Sequence, residues 1–188
     1  MDSILYLIHK IFDMKKLMFT SAVLLFVLSV SAQSKSTKIA NAAGTQFSLG
    51  VEAGFPVGQY PKGTGDNFYS FIAGASLQLE NHVASDLGLT LNAGYLNYSF
   101  KKNYGGGSVS FIPVLAGLKY YISPGGIFAH GQLGAAIGTR AGQGTSFMYS
   151  PGIGINISQN IDAEIKYSGI SNKSATLGSV GIRLAYNF

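Results

Sequence analysis

From Thr45 to Phe188 the sequence alternates apolar and small or polar residues with a period of two, in eight separate runs. In the first, Phe47, Leu49, Val51, Ala53 and Phe55 share one face, and Ser48, Gly50, Glu52 and Gly54 share the other. The eighth repeats it, with Val180, Ile182, Leu184, Tyr186 and Phe188 against Gly181, Arg183, Ala185 and Asn187. Strict alternation is the signature of β-strands with one face in each of two environments, and no segment in this region keeps a helical period for three turns. Eight runs of about ten residues, separated by Gly-, Ser- and Asn-rich stretches, predict an all-β, antiparallel up-and-down arrangement. The even number allows closure into a barrel.

The polar face decides which way such a barrel is built. A soluble barrel buries its apolar face and shows water a face rich in Lys and Glu. Here the second face is mostly Gly, Ser, Asn and Gln, and charged residues make up only 11% of the chain. A membrane barrel inverts the faces, with apolar residues toward lipid and small polar ones in the lumen. Eight strands leave room only for side chains inside, which suits the 25 glycines. The expectation is an eight-stranded antiparallel transmembrane β-barrel over 45–188.

Ahead of the barrel stands a segment with the three zones of an export signal. Lys15 and Lys16 precede an apolar run from Leu17 to Val30, and Ser31-Ala32 offers a small-residue cleavage site before Gln33. The run is short for a transmembrane helix, which needs about 20 residues. We expect a signal peptide over 14–32, an upstream extension over 1–13 that is either a mis-called start or a further part of the leader, and a periplasmic lead-in over 33–44.

Several function classes fall away. With no Cys, thiolate metal sites, disulfide scaffolds and cysteine nucleophiles are excluded. The segment 33–188 carries 10 basic against 6 acidic residues, without a basic helix or Arg cluster, so nucleic acid is not an expected partner. Gly105-Gly106-Gly107 precedes no helical pattern and makes no phosphate loop. No cofactor, metal or catalytic residue is expected. Two details of the strands are expected: a bulge near Tyr95, after which the apolar residues Leu96, Tyr98 and Phe100 shift parity, and Pro113 near a strand end or bulge.

The inward charges are the main candidate site. Glu52, Lys119, Asp162, Glu164, Lys166 and Arg183 all fall on the polar face, and pairing across the last hairpin sets Glu164 opposite Arg183. Closure of the eighth strand onto the first brings Glu52 to the same level, so Arg183 is expected between Glu52 and Glu164. Ions in so narrow a lumen must pair, because an unpaired one costs several kcal/mol. The reading is a lumen filled by a charge network, with a gated ion path as the alternative. His130 is expected to fill the lumen and His82 to lie in a periplasmic turn; neither has a hydroxyl placed by its own strand for catalysis.

Loop lengths orient the barrel, because outer-membrane barrels have short periplasmic turns and longer outer loops. The connections after strands one, three, five and seven face outward on that rule, and they carry Lys62, Lys101, Lys102, Arg140 and Lys173 against Asp66. Phosphate-rich lipopolysaccharide is the partner expected for these residues. The outer loops are too short for a large binding platform.

The C-terminal Ala185-Tyr186-Asn187-Phe188, with Tyr186 and Phe188 on the apolar face, resembles the assembly signal that ends outer-membrane proteins. The stretch from Thr45 to Phe188 resembles the small eight-stranded outer-membrane β-barrel family, the group with OmpX-like and OmpA-like barrels. The fragments 111–121 (FIPVLAGLKYY) and 151–155 (PGIGI), with the leader ending Ser-Ala-Gln, are similar to Bacteroidota-type members. The resemblance implies a Gram-negative outer-membrane location, recognition by the barrel-assembly machinery, and a monomer with a structural or surface-interaction role such as envelope integrity or adhesion. A narrow porin-like channel is the alternative, and a lipid A-modifying enzyme a more distant one.

Overall fold

The computed structural model describes residues 44–60, 63, 66–122, 126–172 and 175–188. The leader over 14–32, the extension before it, the lead-in up to 43, Lys62 and Lys173 lie outside the described residues. The strands are β1 (Thr45–Val57), β2 (Tyr69–His82), β3 (Leu87–Phe100), β4 (Ser108–Tyr121), β5 (Ile127–Gly138), β6 (Thr145–Asn156), β7 (Ile161–Ser171) and β8 (Thr176–Asn187). Each pairs antiparallel with the next, and β8 returns to β1, so the sheet is a closed barrel without an edge. Closure satisfies the backbone of every strand from both sides.

Burial follows the alternation, with the faces inverted relative to a soluble protein. Leu49, Val51, Leu91, Leu133, Ile153, Ile165 and Ile182 are each about half exposed or more on the outside. Ser76, Gln78, Asn92, Gln132, Lys119 and Arg183 are buried inside. On β1 the outward face runs from Phe47 to Val57. That is roughly 33 Å of strand, or about 25 Å along the axis at a tilt near 40°, the height of the apolar band of a membrane barrel.

Both chain ends of the barrel, and the turns β2–β3, β4–β5 and β6–β7, lie at one rim, here the terminal rim. The other four connections form the loop rim. β2 runs on to His82, so His82 ends a strand and does not lie in the turn as the sequence suggested; the β2–β3 turn is Val83–Asp86.

The interior has two tiers. Toward the terminal rim it is polar and charged. Toward the loop rim it holds an apolar cluster that includes Tyr69, Ile72, Leu96, Tyr98, Phe111, Leu115, Met148, Ile170 and Leu177. Rings interlock here: Tyr69 stacks on Phe100 at 4.8 Å between centroids, and Tyr98 meets Phe111 edge-on at 5.7 Å.

This tier corrects two expectations. There is no bulge near Tyr95: β2–β3 pairing runs unbroken from Phe71↔Ser99 to His82↔Gly88, and the one register shift lies between Tyr69 and Phe71. Leu96 and Tyr98 look out of phase only because they are apolar residues pointing inward, where they are 4% and 0% exposed. Pro113 sits inside β4, away from either end. Its pairing with Ala136 on β5 is in register, and the ladder to β3 lapses between Ala93↔Val114 and Leu96↔Phe111. A proline withholds one N–H, which concerns one neighbouring strand only, so no bulge is needed. Pro151 on β6 behaves alike: the β6–β7 ladder skips it, and Ser150 Oγ donates to the Tyr167 carbonyl at 2.9 Å.

Candidate functional site: the charged interior

The register places Arg183 opposite Glu52 on β1 and opposite Glu164 on β7. Its side chain then runs toward the terminal rim across Gly50. A Cβ on Gly50 would lie 2.6 Å from the Arg183 Nε, so only glycine leaves room for the guanidinium there. Arg183 Nε donates to Ser76 Oγ at 3.0 Å and NH2 donates to Ser48 Oγ at 3.0 Å. NH1 reaches Asp162 Oδ1 at 3.5 Å, while Glu52 is 4.0 Å from Nε. The two carboxylates flanking Arg183 are therefore Glu52 and Asp162, and not Glu164 as the register alone suggested. Asp162 lies two residues further along the same face, at the end to which the guanidinium leans.

The remaining charges extend this centre in both directions. Glu52 accepts from Ser76 Oγ at 2.8 Å and pairs with Lys166 Nζ at 2.8 Å. Asp162 Oδ2 accepts from Asn187 Nδ2 at 3.2 Å and lies 3.6 Å from Lys119 Nζ. Lys119 donates to Glu80 at 3.1 Å, and its ammonium sits 4.1 Å above the Phe128 ring. Glu80 also takes the Tyr121 hydroxyl at 2.6 Å and faces His82 Nε2 at 3.4 Å. The result is one ladder of alternating sign: Lys166, Glu52, Arg183, Asp162, Lys119, Glu80. Each buried ion has an opposite charge on at least one side, which offsets much of its desolvation cost.

Glu164 is bound elsewhere. His130 Nδ1 lies 3.2 Å from both of its oxygens, and His130 Nε2 lies 3.0 Å from Thr90 Oγ1. Sequence reasoning put Glu80 and Thr90 on the inward faces of their runs but named neither as part of the site. The contact of Thr90 with His130 joins β3 to β5, two strands apart, which pairing between neighbouring strands does not show. The hydroxyl, imidazole and carboxylate stand in the order of a nucleophile, base and orienting acid. All three are buried, with the His130 side chain wholly inaccessible.

The interior is closed. Arg183 and Asp162 are 1% exposed, and Tyr98, Phe128 and Met148 are fully buried. Where the charged and apolar tiers meet, a cavity of about 20 Å³ touches Glu52, Tyr98, Lys166, Ser168 and Ser179. That is room for about one water.

At the loop rim, Lys101 and Asp66 pair at 2.7 Å, and the Tyr104 hydroxyl donates to the same carboxylate at 3.3 Å. Lys101, with the Asn67 N–H, holds the Asp66 carboxyl below its usual range. Lys101 is thus engaged by the protein itself. Lys102, at the head of a 3-10 turn over Lys102–Tyr104, and Arg140 are exposed. Tyr186 and Phe188 point outward at the terminal rim, each at least half exposed.

No family model and no curated protein matches the chain. Solved structures do. The attachment invasion locus protein Ail of Yersinia pestis is 18% identical, covers 78% of this chain and 100% of its own, and superposes with a TM-score of 0.55. The N-terminal β-barrel domain of Pseudomonas aeruginosa OprF is 14% identical over 76% of this chain and 97% of its own, with a TM-score of 0.51. A designed transmembrane β-barrel is 19% identical over 80% and 100%, with a TM-score of 0.50. The chain therefore has the closed eight-stranded antiparallel barrel fold that these membrane barrels share.

Proposed function

We propose that the chain is an integral outer-membrane barrel of a Gram-negative bacterium, exported behind a cleaved signal peptide. Its role is structural or surface-interacting, as in envelope integrity or adhesion, and it does not conduct. The inverted burial supports the membrane setting: among the described residues, large apolar side chains stand exposed around the barrel while seven Asp, Glu, Lys and Arg residues are buried within it. A band of that kind, unbroken around the barrel, is stable only against lipid. The fold shared with Ail, an attachment protein by its name, fits the surface role.

Closure of the interior carries the choice between a structural barrel and a channel. A narrow pore requires water past Arg183, and the apolar tier around Tyr98 and Leu115 bars the path a second time. In planar bilayers the purified barrel is expected to give no unitary currents. Arg183→Ala is expected to stay silent as well, because the apolar tier is untouched. Discrete conductance steps from the wild type would overturn the structural reading in favour of the narrow channel.

The rim supplies the partner. Exposed Lys102 and Arg140, with Lys62 and Lys173 on the other two outward connections in sequence, suit the phosphates of lipopolysaccharide, while Lys101 is already engaged by Asp66. Lys102→Ala with Arg140→Ala is expected to lower thermal stability in lipopolysaccharide bilayers and leave it unchanged in neutral detergent. Equal stability in both settings would remove this contact. Tyr186 and Phe188 are read as the signal for the barrel-assembly machinery and the barrel as a monomer. No catalytic role is assigned, since Thr90 and His130 are closed to substrate; a changed lipid A acyl pattern in cells lacking the protein would contradict that.

A further inference from the structure

Among the described residues, eight acidic, basic or imidazole side chains are buried in the interior: Glu52, Glu80, Asp162, Glu164, Lys119, Lys166, Arg183 and His130. Six of them form the alternating ladder, with three carboxylates against two lysines and one arginine. The ladder is therefore balanced without help. Glu164 stands outside it, 2% exposed, and among the described residues no lysine or arginine nitrogen lies within ion-pair distance of it. Its partner is His130, equidistant from both carboxylate oxygens.

The surroundings of the ring are equally specific. From β3, Thr90 Oγ1 meets Nε2; from β7, Glu164 meets Nδ1. Lys119 is the register neighbour on β4, with its ammonium committed to Glu80 and Asp162. Lys166, also on β7, is committed to Glu52. On β6 the facing residue is Gly152, whose missing side chain makes room for Glu164: a Cβ there would lie 2.5 Å from Glu164 Oε1. Both ring nitrogens thus face oxygen, and a hydroxyl can accept as well as donate. A buried carboxylate needs a compensating charge; Lys166 and Arg183 act on Glu164 only from beyond ion-pair distance and are paired with Glu52 and Asp162, so the ring is the one group in direct contact that can give it.

We propose that the His130–Glu164 pair is a proton-binding site, with His130 held as the doubly protonated imidazolium that serves as the fourth cation of the interior. One proton, bound between Thr90 on β3 and Glu164 on β7, then makes the filling of the barrel electrically neutral. It also ties opposite parts of the wall together through charge-assisted hydrogen bonds. The inference stands on the interior geometry and does not depend on the membrane setting or on the absence of conductance.

Nitrogen NMR of histidine-labelled barrel at neutral pH, with His130→Gln to assign the signals, reads the site directly. Both His130 ring nitrogens are expected to carry hydrogen, and in Glu164→Gln the ring is expected to fall back to one. A single protonated nitrogen in the wild type overturns the proposal, as does a ring that stays doubly protonated once Glu164 is neutral. Should Glu164→Gln fail to fold, the double variant His130→Gln, Glu164→Gln gives a second reading. It is expected to fold to a higher yield than His130→Gln alone, because it removes both members of the pair. A yield no better than that of the single variant would contradict the charge assignment.

Discussion

Replacing Arg183 with alanine is expected to destabilise the folded barrel by about 3 kcal/mol, the low end of the cost of breaking a buried ion pair. The cost arises on both sides of the missing guanidinium. Asp162 keeps Lys119 and Asn187, and Glu52 keeps Lys166 and Ser76, so neither is stranded; each is under-compensated. Ser48 also loses its partner, and an empty volume opens over Gly50. Denaturant unfolding in detergent micelles, followed by the change in gel mobility between folded and unfolded barrel, measures this loss. Arg183→Lys is expected to recover only part of it, since an ammonium cannot serve Ser48, Ser76 and Asp162 together. A loss below about 1 kcal/mol for Arg183→Ala, the size of an exposed pair, would show that the ladder is solvated.

The outer face makes the second strong prediction. Val51 lies at the middle of β1, is 61% exposed, and has Ala75 and Leu184 as its cross-strand neighbours. In lipid bilayers Val51→Arg is expected to cost about 2–4 kcal/mol, the penalty for arginine at the midplane of a membrane barrel. At a water-exposed site the same substitution would change stability by no more than about 0.5 kcal/mol. Folding yield and unfolding midpoint in phosphatidylcholine vesicles separate the two cases, with Val51→Leu as the neutral control. The position is informative because Glu52, one residue along, is buried among charges. The environment reverses between adjacent residues.

The architecture was legible because alternation is a local property. Strand number, barrel closure and the outward apolar face follow from which residues are odd and which are even. The Glu52–Arg183 pairing was legible too, since closure of β8 onto β1 fixes it by counting. Two features lay beyond counting. Alternation alone makes the inner face uniformly small and polar, so that within β3 Leu96 and Tyr98 look like a change of face. In the folded barrel they plug the end opposite the charges, which no single strand reveals. The partner of Arg183 depended on the direction in which a long side chain leans. Gly50 opens the path toward Asp162, and Glu164 is left for His130, whose second contact comes from Thr90 on a strand 40 residues earlier. Register sets which residues are level with each other; side-chain length and the space left by glycine decide which of them touch.

The absence of cysteine allows the central claim to be tested with single spin labels. Labels at Val51, Leu91, Leu133 and Ile165 probe four outward positions on different strands, and labels at Thr90 and Gln132 probe their inward neighbours. In bilayers, the outward labels are expected to collide readily with dissolved oxygen, which concentrates in lipid, and rarely with a water-soluble nickel complex. The inward labels are expected to be shielded from both. Outward labels that prefer the nickel complex would place the apolar face in water and contradict the inverted barrel.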